Sequence, residues 1–407
     1  MAEIITIETE KMIYGGDCIG KHNGKNVFVP FALPNETLEV EITDDRADFS
    51  RAKIVNIKKP SEHRREPKCA LYGVCGGCNM QHIDDDFQIE LRKQILRDSF
   101  ERAGITVPEI IAISGNPFAY RSRFQFHDGS LMEKSSAKSV AVKHCPIAVS
   151  EINEWLENAQ KSTGRVHVFG DKRIVGEKKV IEAVENRQKN EKPSIIGGAK
   201  RKIKRKENTY FSGTLQSPEN RCEIELAGKK IAFDARGFFQ SNLAVLEKSI
   251  EKVTDNLFGE RVLDLYAGCG TFSVFLADNF RDVTLVEHNR DALVFAEQNL
   301  AGKTHTSYGM SGEQFLKTQW SALKAKCGQF DAVVVDPPRS GMEKAVVKWL
   351  SEEKTHQIRA VSCDPATQAR DVSALVKSGY TLTRLYLLDF YPQTSHIESL
   401  ACLENRE

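Results

Sequence analysis

The chain has 407 residues, 41% hydrophobic and 28% charged, an ordinary make-up for a folded chain and enough length for two or three domains. No run approaches the ~20 apolar residues of a membrane-spanning helix. Residues 1–10 are acidic and lack the apolar core of a secretory signal, so a cytoplasmic protein away from membranes is expected. The net charge of +1 hides an asymmetry: residues 240–407 carry a net −4 and residues 1–239 a net +5, so an anionic partner should meet mainly the first half. Ten scattered cysteines with no export signal read as reduced thiols, which makes any cysteine cluster a sign of metal or catalysis.

Residues 1–60 read as short strands, at 4–7, 26–29, 37–42 and 52–58, with Gly15, Gly16, Gly20, Gly24 and Pro34-Asn35 at the turns. So many strands in so few residues predict a small OB-style β-barrel. The stretch GGDCIGKHNGKNVFVPFALPNETLEV (15–40) resembles the TRAM module attached to RNA-modifying enzymes.

Residues 61–239 are mixed. They follow a basic stretch (Lys58, Lys59, Arg64, Arg65, Lys68) with three close cysteines, Cys69, Cys75 and Cys78, and a distant fourth, Cys145. Four thiols form a set that zinc and iron–sulfur clusters both accept. Structural zinc sites more often pair two CxxC units, so a 4Fe–4S cluster is favoured, although spacing alone leaves zinc open. A helix is predicted over 84–102 with Gly104 as its stop, and strands over 120–127 and 140–143. Tyr120-Arg121-Ser122-Arg123-Phe124 alternates cations and aromatics, as a strand with a basic face or as an RNA-backbone clamp. Residues 187–206 hold nine Lys/Arg and one Glu, the composition of a solvated loop that also suits a phosphate-contacting arm.

Residues 240–407 alternate strands (261–266, 283–287, 332–335, 360–362, 382–390) with helices (243–257, 291–300, 366–378), which predicts an α/β sheet covered on both faces. VLDLYAGCGTFSVFLA (262–277) is an apolar strand, a glycine turn and a helix. It lacks the dinucleotide fingerprint and offers no phosphate-binding lysine. Glu287 ends the next strand, where a carboxylate accepts hydrogen bonds from ribose hydroxyls. A ligand with one ribose and no phosphate fits, and D-L-x-x-G-x-G resembles the first motif of class I methyltransferases. Asp336-Pro337-Pro338-Arg339 and Ser362-Cys363-Asp364-Pro365 follow later strands, at the edge where open α/β sheets bind ligands. Cys18, Cys222, Cys269, Cys327 and Cys402 take the default of inert buried packing.

A cysteine at such an edge suits methylation of uracil C5. The thiolate adds to C6, C5 gains the electron density to attack a sulfonium methyl, and a base then removes the C5 proton. His396 and Glu398 are both of the required type. DLYAGCG, DPPRSG, SCDPAT and HIES together resemble the RNA uracil-C5 methyltransferases over nearly the whole chain. That resemblance implies Cys363 as nucleophile, Glu398 as base, and S-adenosylmethionine held by Gln240, Tyr266, Thr271, Glu287 and Asp336. Thr271 stands where relatives often have Asn. The resemblance also implies the 4Fe–4S cluster on Cys69, Cys75, Cys78 and Cys145, Phe238 stacking on the target base, and Arg121 or Arg123 clamping RNA.

The expected architecture is a TRAM-like barrel (1–60), a central α+β RNA-binding domain with the cluster (61–239) and a class I, Rossmann-like methyltransferase domain (240–407), acting as a monomer. Relatives with the barrel and the cluster typically modify ribosomal RNA, so 23S rRNA is the expected substrate and tRNA the alternative. Methylation of a base nitrogen is a weaker reading, because Arg339 stands where those enzymes carry an aromatic residue. A non-catalytic iron–sulfur RNA-binding protein is the reading from another class.

Overall fold

In the computed structural model, residues 3–134, 136–158, 164–184 and 220–405 are described; the basic run at 187–206 lies outside them. Strand alternation begins at once. In β1 (Ile4–Met12), Ile5, Ile7 and Thr9 are buried while Ile4, Thr6 and Glu8 face outward, the two-residue period of a half-buried strand. With β2 (Cys18–His22), β3 (Lys25–Val29), β4 (Thr37–Asp45) and β5 (Phe49–Lys59) it closes a barrel in the order β1-β2-β3-β5-β4, as expected. Asn23 and Gly24, both at positive φ, make the tight turn between β2 and β3. Glu36, fully buried at the barrel's end, accepts from Leu33 N–H, Ser61 N–H and the Arg64 guanidinium (2.6 and 2.8 Å). Arg65 pairs with Asp85. Two cations of the basic stretch are thus engaged inside the protein.

Helix α1 (Asp85–Arg102) starts after Asp84 and ends at Gly104, whose φ of 78° suits a glycine stop. Then come β6 (Ile110–Ile113), β7 (Arg123–His127), the short pair β8 (Leu131–Met132) and β9 (Ser139–Val140), α2 (Ser150–Asn158), β10 (Arg165–Gly170) and β11 (Val180–Val184). Strands β11-β10-β7 form a three-stranded sheet, and β12 (Arg221–Leu226) pairs with β13 (Lys229–Asp234). Of the strand expected over 140–143, only Val140 is in a ladder, because its partner β8 is two residues long.

The rest is doubly wound: α3 (Leu243–Thr254), β14 (Gly259–Leu265), α4 (Thr271–Leu276), β15 (Phe280–Val286), α5 (Arg290–Asn299), β16 (His305–Tyr308), α6 (Gly312–Phe315), α7 (Ser321–Cys327), β17 (Ala332–Val335), α8 (Lys344–Glu353), β18 (Gln357–Ser362), α9 (Pro365–Lys377), β19 (Thr381–Leu388) and β20 (Glu398–Glu404). The sheet order is β16-β15-β14-β17-β18-β20-β19-β6. All of β17 is buried, as in a parallel strand covered on both faces. Val333 and Val335 belong to one apolar cluster of the core, and Ala332 and Val334 to the other.

Three features differ from the sequence reading. β20 was not anticipated; it inserts antiparallel between β18 and β19, so Glu398 opens a central strand. The sheet also extends outside residues 240–407: β6 pairs parallel with β19, and α1 is held to the end of β19 by the buried Arg92–Asp389 pair at 2.7 Å. Cys327 is exposed at the end of α7, unlike the other four cysteines assigned to packing, because no apolar element covers that helix turn. No helix among the described residues is long and apolar enough to cross a membrane.

Candidate active site

The sheet order reverses between β14 and β17, and ligands of open α/β sheets bind in the crevice that this reversal leaves at the strands' carboxyl ends. A cavity of about 2000 Å³ lies there, and Gln240, Tyr266, Thr271, Glu287, Asp336, Cys363 and Glu398 all line it.

Its floor is the turn after β14. Tyr266 has a φ of 64°, and Gly268 and Gly270 have φ of 56° and 78°. Gly270 is pressed on α5, where a Cβ would lie 3.1 Å from the Cβ of Ala296. Glu287 binds this turn from the neighbouring strand: Oε2 accepts Gly268 N–H at 2.9 Å and Oε1 accepts Asn289 N–H at 2.6 Å. Beneath the turn, buried Asp264 accepts from Ser273 Oγ at 2.5 Å, while its Oδ1 has no partner among the described residues. Burial pushes Asp264 up to about 7 against the opposing Ser273 bond, with the Asp336 and Glu287 charges adding to the rise. Asp336 is likewise pushed up to about 7, by burial and by Glu287. Thr271 opens α4, and Gln240 accepts from the Tyr391 hydroxyl at 3.3 Å. A polar cradle beneath a glycine turn, with acids at successive strand ends, fits a nucleoside such as that of S-adenosylmethionine.

The opposite wall carries the reactive pair. Ser362 and Ser399 are the last paired residues of β18 and β20. Cys363 and Glu398 are the next residues beyond that pair on either side, and the Glu398 charge acts on the Cys363 thiol. Asp364 caps α9 by accepting Ala366 N–H and Thr367 N–H, so Cys363 sits just before the positive end of a 13-residue helix. The Cys363 thiol is nonetheless pushed up to about 11, by burial first and then by the Glu398 and Asp336 charges, with Arg339 opposing. Burial and Asp336 raise Glu398 well above the usual carboxylate range, again against Arg339. Burial therefore favours the neutral form of both groups. His396 stands on the cavity wall, with its ring against Tyr391. Its pKa is lowered by desolvation, then by Arg339 and Arg121.

Of the other residues expected here, Phe238 is 70% exposed and lines the cavity. Arg121 lines it too; Arg123 does not, and turns to the Arg236 carbonyl and His167. Tyr391 and Tyr14 were missed. An aromatic residue before Pro392 at a strand exit was a usable sign for Tyr391; Tyr14 reaches the site from 349 positions away and left none.

Cys69, Cys75, Cys78 and Cys145 line a second cavity of about 500 Å³, with Arg121, Gly76 and Gly77 shared between the two cavities. Cys78 lies within electrostatic reach of Cys145 and Cys69. Among the described residues, no group of three or more His, Cys, Asp or Glu converges closely enough to hold a metal ion.

Fold and site together define a class I methyltransferase carrying an N-terminal barrel. Residues 166–406 match the family tRNA (Uracil-5-)-methyltransferase and residues 4–55 the TRAM domain. An uncharacterized RNA methyltransferase of Treponema denticola is 37% identical over 97% of this chain and 97% of its own length. The 23S rRNA (uracil(1939)-C(5))-methyltransferase RlmD of Shewanella amazonensis is 29% identical over 99% and 96%. The crystal structure of Pyrococcus abyssi tRNA (uracil-54, C5)-methyltransferase in complex with S-adenosyl-L-homocysteine has the same fold, with a TM-score of 0.70 over 98% of this chain and all of that one at 22% identity. The chain belongs to the tRNA (uracil-5-)-methyltransferase family and is an S-adenosylmethionine-dependent RNA uracil-C5 methyltransferase.

Proposed function

We propose that this enzyme methylates C5 of a specific uridine in 23S rRNA, with Cys363 as nucleophile and Glu398 as base. The reading is supported by both side chains lining one cavity, each adjacent to the Ser362–Ser399 pair. Bound S-adenosylmethionine supplies an electrophilic methyl carbon. The Cys363 thiol loses its proton and its sulfur bonds to C6 of the uracil. The displaced electron pair lets C5 take the methyl group, while the electrons of the broken S–CH3 bond stay on the donor's sulfur, which leaves as the neutral thioether. Glu398 then removes the C5 proton, and the electrons of that C–H bond re-form the C5–C6 double bond as the C6–S bond breaks. Gln240, Tyr266, Thr271, Glu287 and Asp336 hold the methyl donor in this reading. Exposed Phe238 stacks on the extruded base, and Arg121 contacts the RNA backbone.

The four cysteines hold a 4Fe–4S cluster in this proposal. The support is that all four line one cavity, and four thiolates are the ligand set of such a cluster. Its role is to tie the loop at 69–78 to the region of Cys145. The barrel, the residues that hold the cluster and the methyltransferase sheet act as three parts of one RNA-gripping enzyme in the cytoplasm.

The 23S assignment is supported by the RlmD relatives, whose match runs through the barrel and the cysteine region. Mass-spectrometric mapping of 5-methyluridine in cells lacking the protein tests it: loss at a 23S uridine is expected, and loss in tRNA with intact 23S methylation overturns it. RNA bearing 5-fluorouridine should trap the wild-type enzyme covalently, and Cys363→Ala should form no adduct. An adduct with that variant removes Cys363 from its role.

A further inference from the structure

The N-terminal barrel touches the reaction centre. Its β1–β2 loop closes on itself, with Ile13 N–H donating to Asp17 O at 2.9 Å and Gly16 N–H to Ile13 O at 3.0 Å. From that loop the Tyr14 hydroxyl donates to the Cys363 carbonyl at 3.2 Å.

The loop is seated on the other arm of the site as well. Gly15 O accepts from Asn79 Nδ2 at 3.1 Å. Asn79 Nδ2 also donates to Ser395 Oγ at 2.9 Å, and Asn79 Oδ1 accepts Ser395 N–H at 2.8 Å. Gly16 has a φ of 90°, and a Cβ there would stand 2.7 Å from Asn79 Nδ2 and 3.0 Å from Ser395 Cβ. A glycine fills this seat because no side chain fits it. One barrel loop thus grips the residue just past β18 and the segment that leads into Glu398.

We propose that Tyr14 is a positioning residue for Cys363, so that the barrel completes the catalytic centre in addition to any hold it has on RNA. The proposal rests on the reading of Cys363 as the nucleophile. Cys363 lies past the last ladder pair of β18, so the sheet no longer fixes its peptide plane. A hydroxyl bonded to its carbonyl restrains that plane and with it the arc swept by the sulfur. Burial, then the Asp364 charge, push the Tyr14 hydroxyl up to about 12, so it remains a donor throughout the neutral range. Tyr14 is 39% exposed.

The test uses the full-length protein with 5-fluorouridine transcripts of 23S rRNA and of tRNA, and follows adduct formation by rapid quench at saturating S-adenosylmethionine. For Tyr14→Phe, the limiting rate constant should fall by about five- to tenfold, the loss of one hydrogen bond. The RNA concentration giving half that rate should stay within about twofold, since a hydrogen bond to the protein's own backbone contributes nothing directly to RNA binding. Gly16→Ala, which keeps the hydroxyl but unseats the loop, should give the same split. A wild-type limiting rate in Tyr14→Phe overturns the proposal, whether or not half-saturation moves, and leaves the barrel as an RNA grip alone. Should Tyr14→Phe fail to fold, Gly16→Ala decides by the same criterion. Absence of an adduct with the wild-type enzyme on either RNA is a different failure: it removes the nucleophile reading itself.

Discussion

Glu398→Gln separates the two halves of the proposed reaction. Glutamine keeps the shape of the buried side chain and removes both its charge and its capacity as a base. Positioned general bases contribute ~10²–10⁴-fold, so elimination of the methylated adduct should slow by at least about a hundredfold. Addition should not slow with it. The Glu398 charge is the second cause, after burial, that raises the Cys363 thiol to about 11. Wherever Glu398 is ionised in the wild type, removing that charge lowers the thiol pKa and raises the thiolate fraction. In the wild type, adduct formation should rise with pH through the neutral and alkaline range, because burial first of all holds the thiol protonated; in the variant that rise should move to lower pH. The assay is a single turnover with unmodified RNA and methyl-labelled S-adenosylmethionine, resolved on denaturing gels into protein-bound and free methylated RNA. The wild type should show mostly free product and the variant mostly bound. Release at the wild-type rate would exclude Glu398 as the base, and a profile displaced to higher pH would refute the electrostatic argument.

Three other outcomes follow from the same geometry. Gly270→Ala puts a side chain at φ 78° against Ala296, so it should cost ~1–2 kcal/mol in urea unfolding and weaken S-adenosylmethionine binding by calorimetry. Gly268→Ala, with open space around it, should cost only the backbone strain, so any further loss of affinity there reports on the ligand side. Anaerobically purified protein should contain iron and sulfide in equal amounts, and Cys78→Ser should lose both together with thermal stability; stoichiometric zinc in the wild type refutes the cluster. Asp389→Ala leaves Arg92 buried and unpaired, so denaturant unfolding should show a loss of ~3–5 kcal/mol, with Arg92→Met in the same chain restoring much of it.

The site was legible where function lies at the ends of parallel strands. The all-apolar run 332–335 followed by Asp336-Pro337, and the strand 261–266 followed by two glycines, show local chemistry that is sufficient to place an acid or a turn at the sheet edge. What stayed hidden depends on pairing between distant segments. ESLACLE reads equally well as strand or buried helix, and no intervening helix marks its return, so the insertion of β20 had no local signature. Ile110–Ile113 is four residues long, and its partner Leu385–Leu388 lies more than half the chain away.

That hidden pairing matters for the chemistry. In a wholly parallel arrangement the strand after β18 would run the same way, and the start of that strand, where Glu398 lies, would fall at the end of the sheet away from Cys363. The antiparallel insertion reverses this, bringing the start of β20 to the same end of the sheet as the end of β18. The segment 391–397 must then cross the mouth of the cavity to enter β20, and it is there that Gln393 is pinned: its carbonyl accepts Asn79 N–H and Met80 N–H, and its side chain meets Asp85, Arg65 and Gln88. Asn79 directly follows Cys78. Loss of the order that Cys78 imposes on its loop should therefore reach the base before it reaches the methyl donor: in Cys78→Ser, the rate of adduct release should fall while affinity for S-adenosylmethionine, held on β14 and β15, stays near that of the wild type.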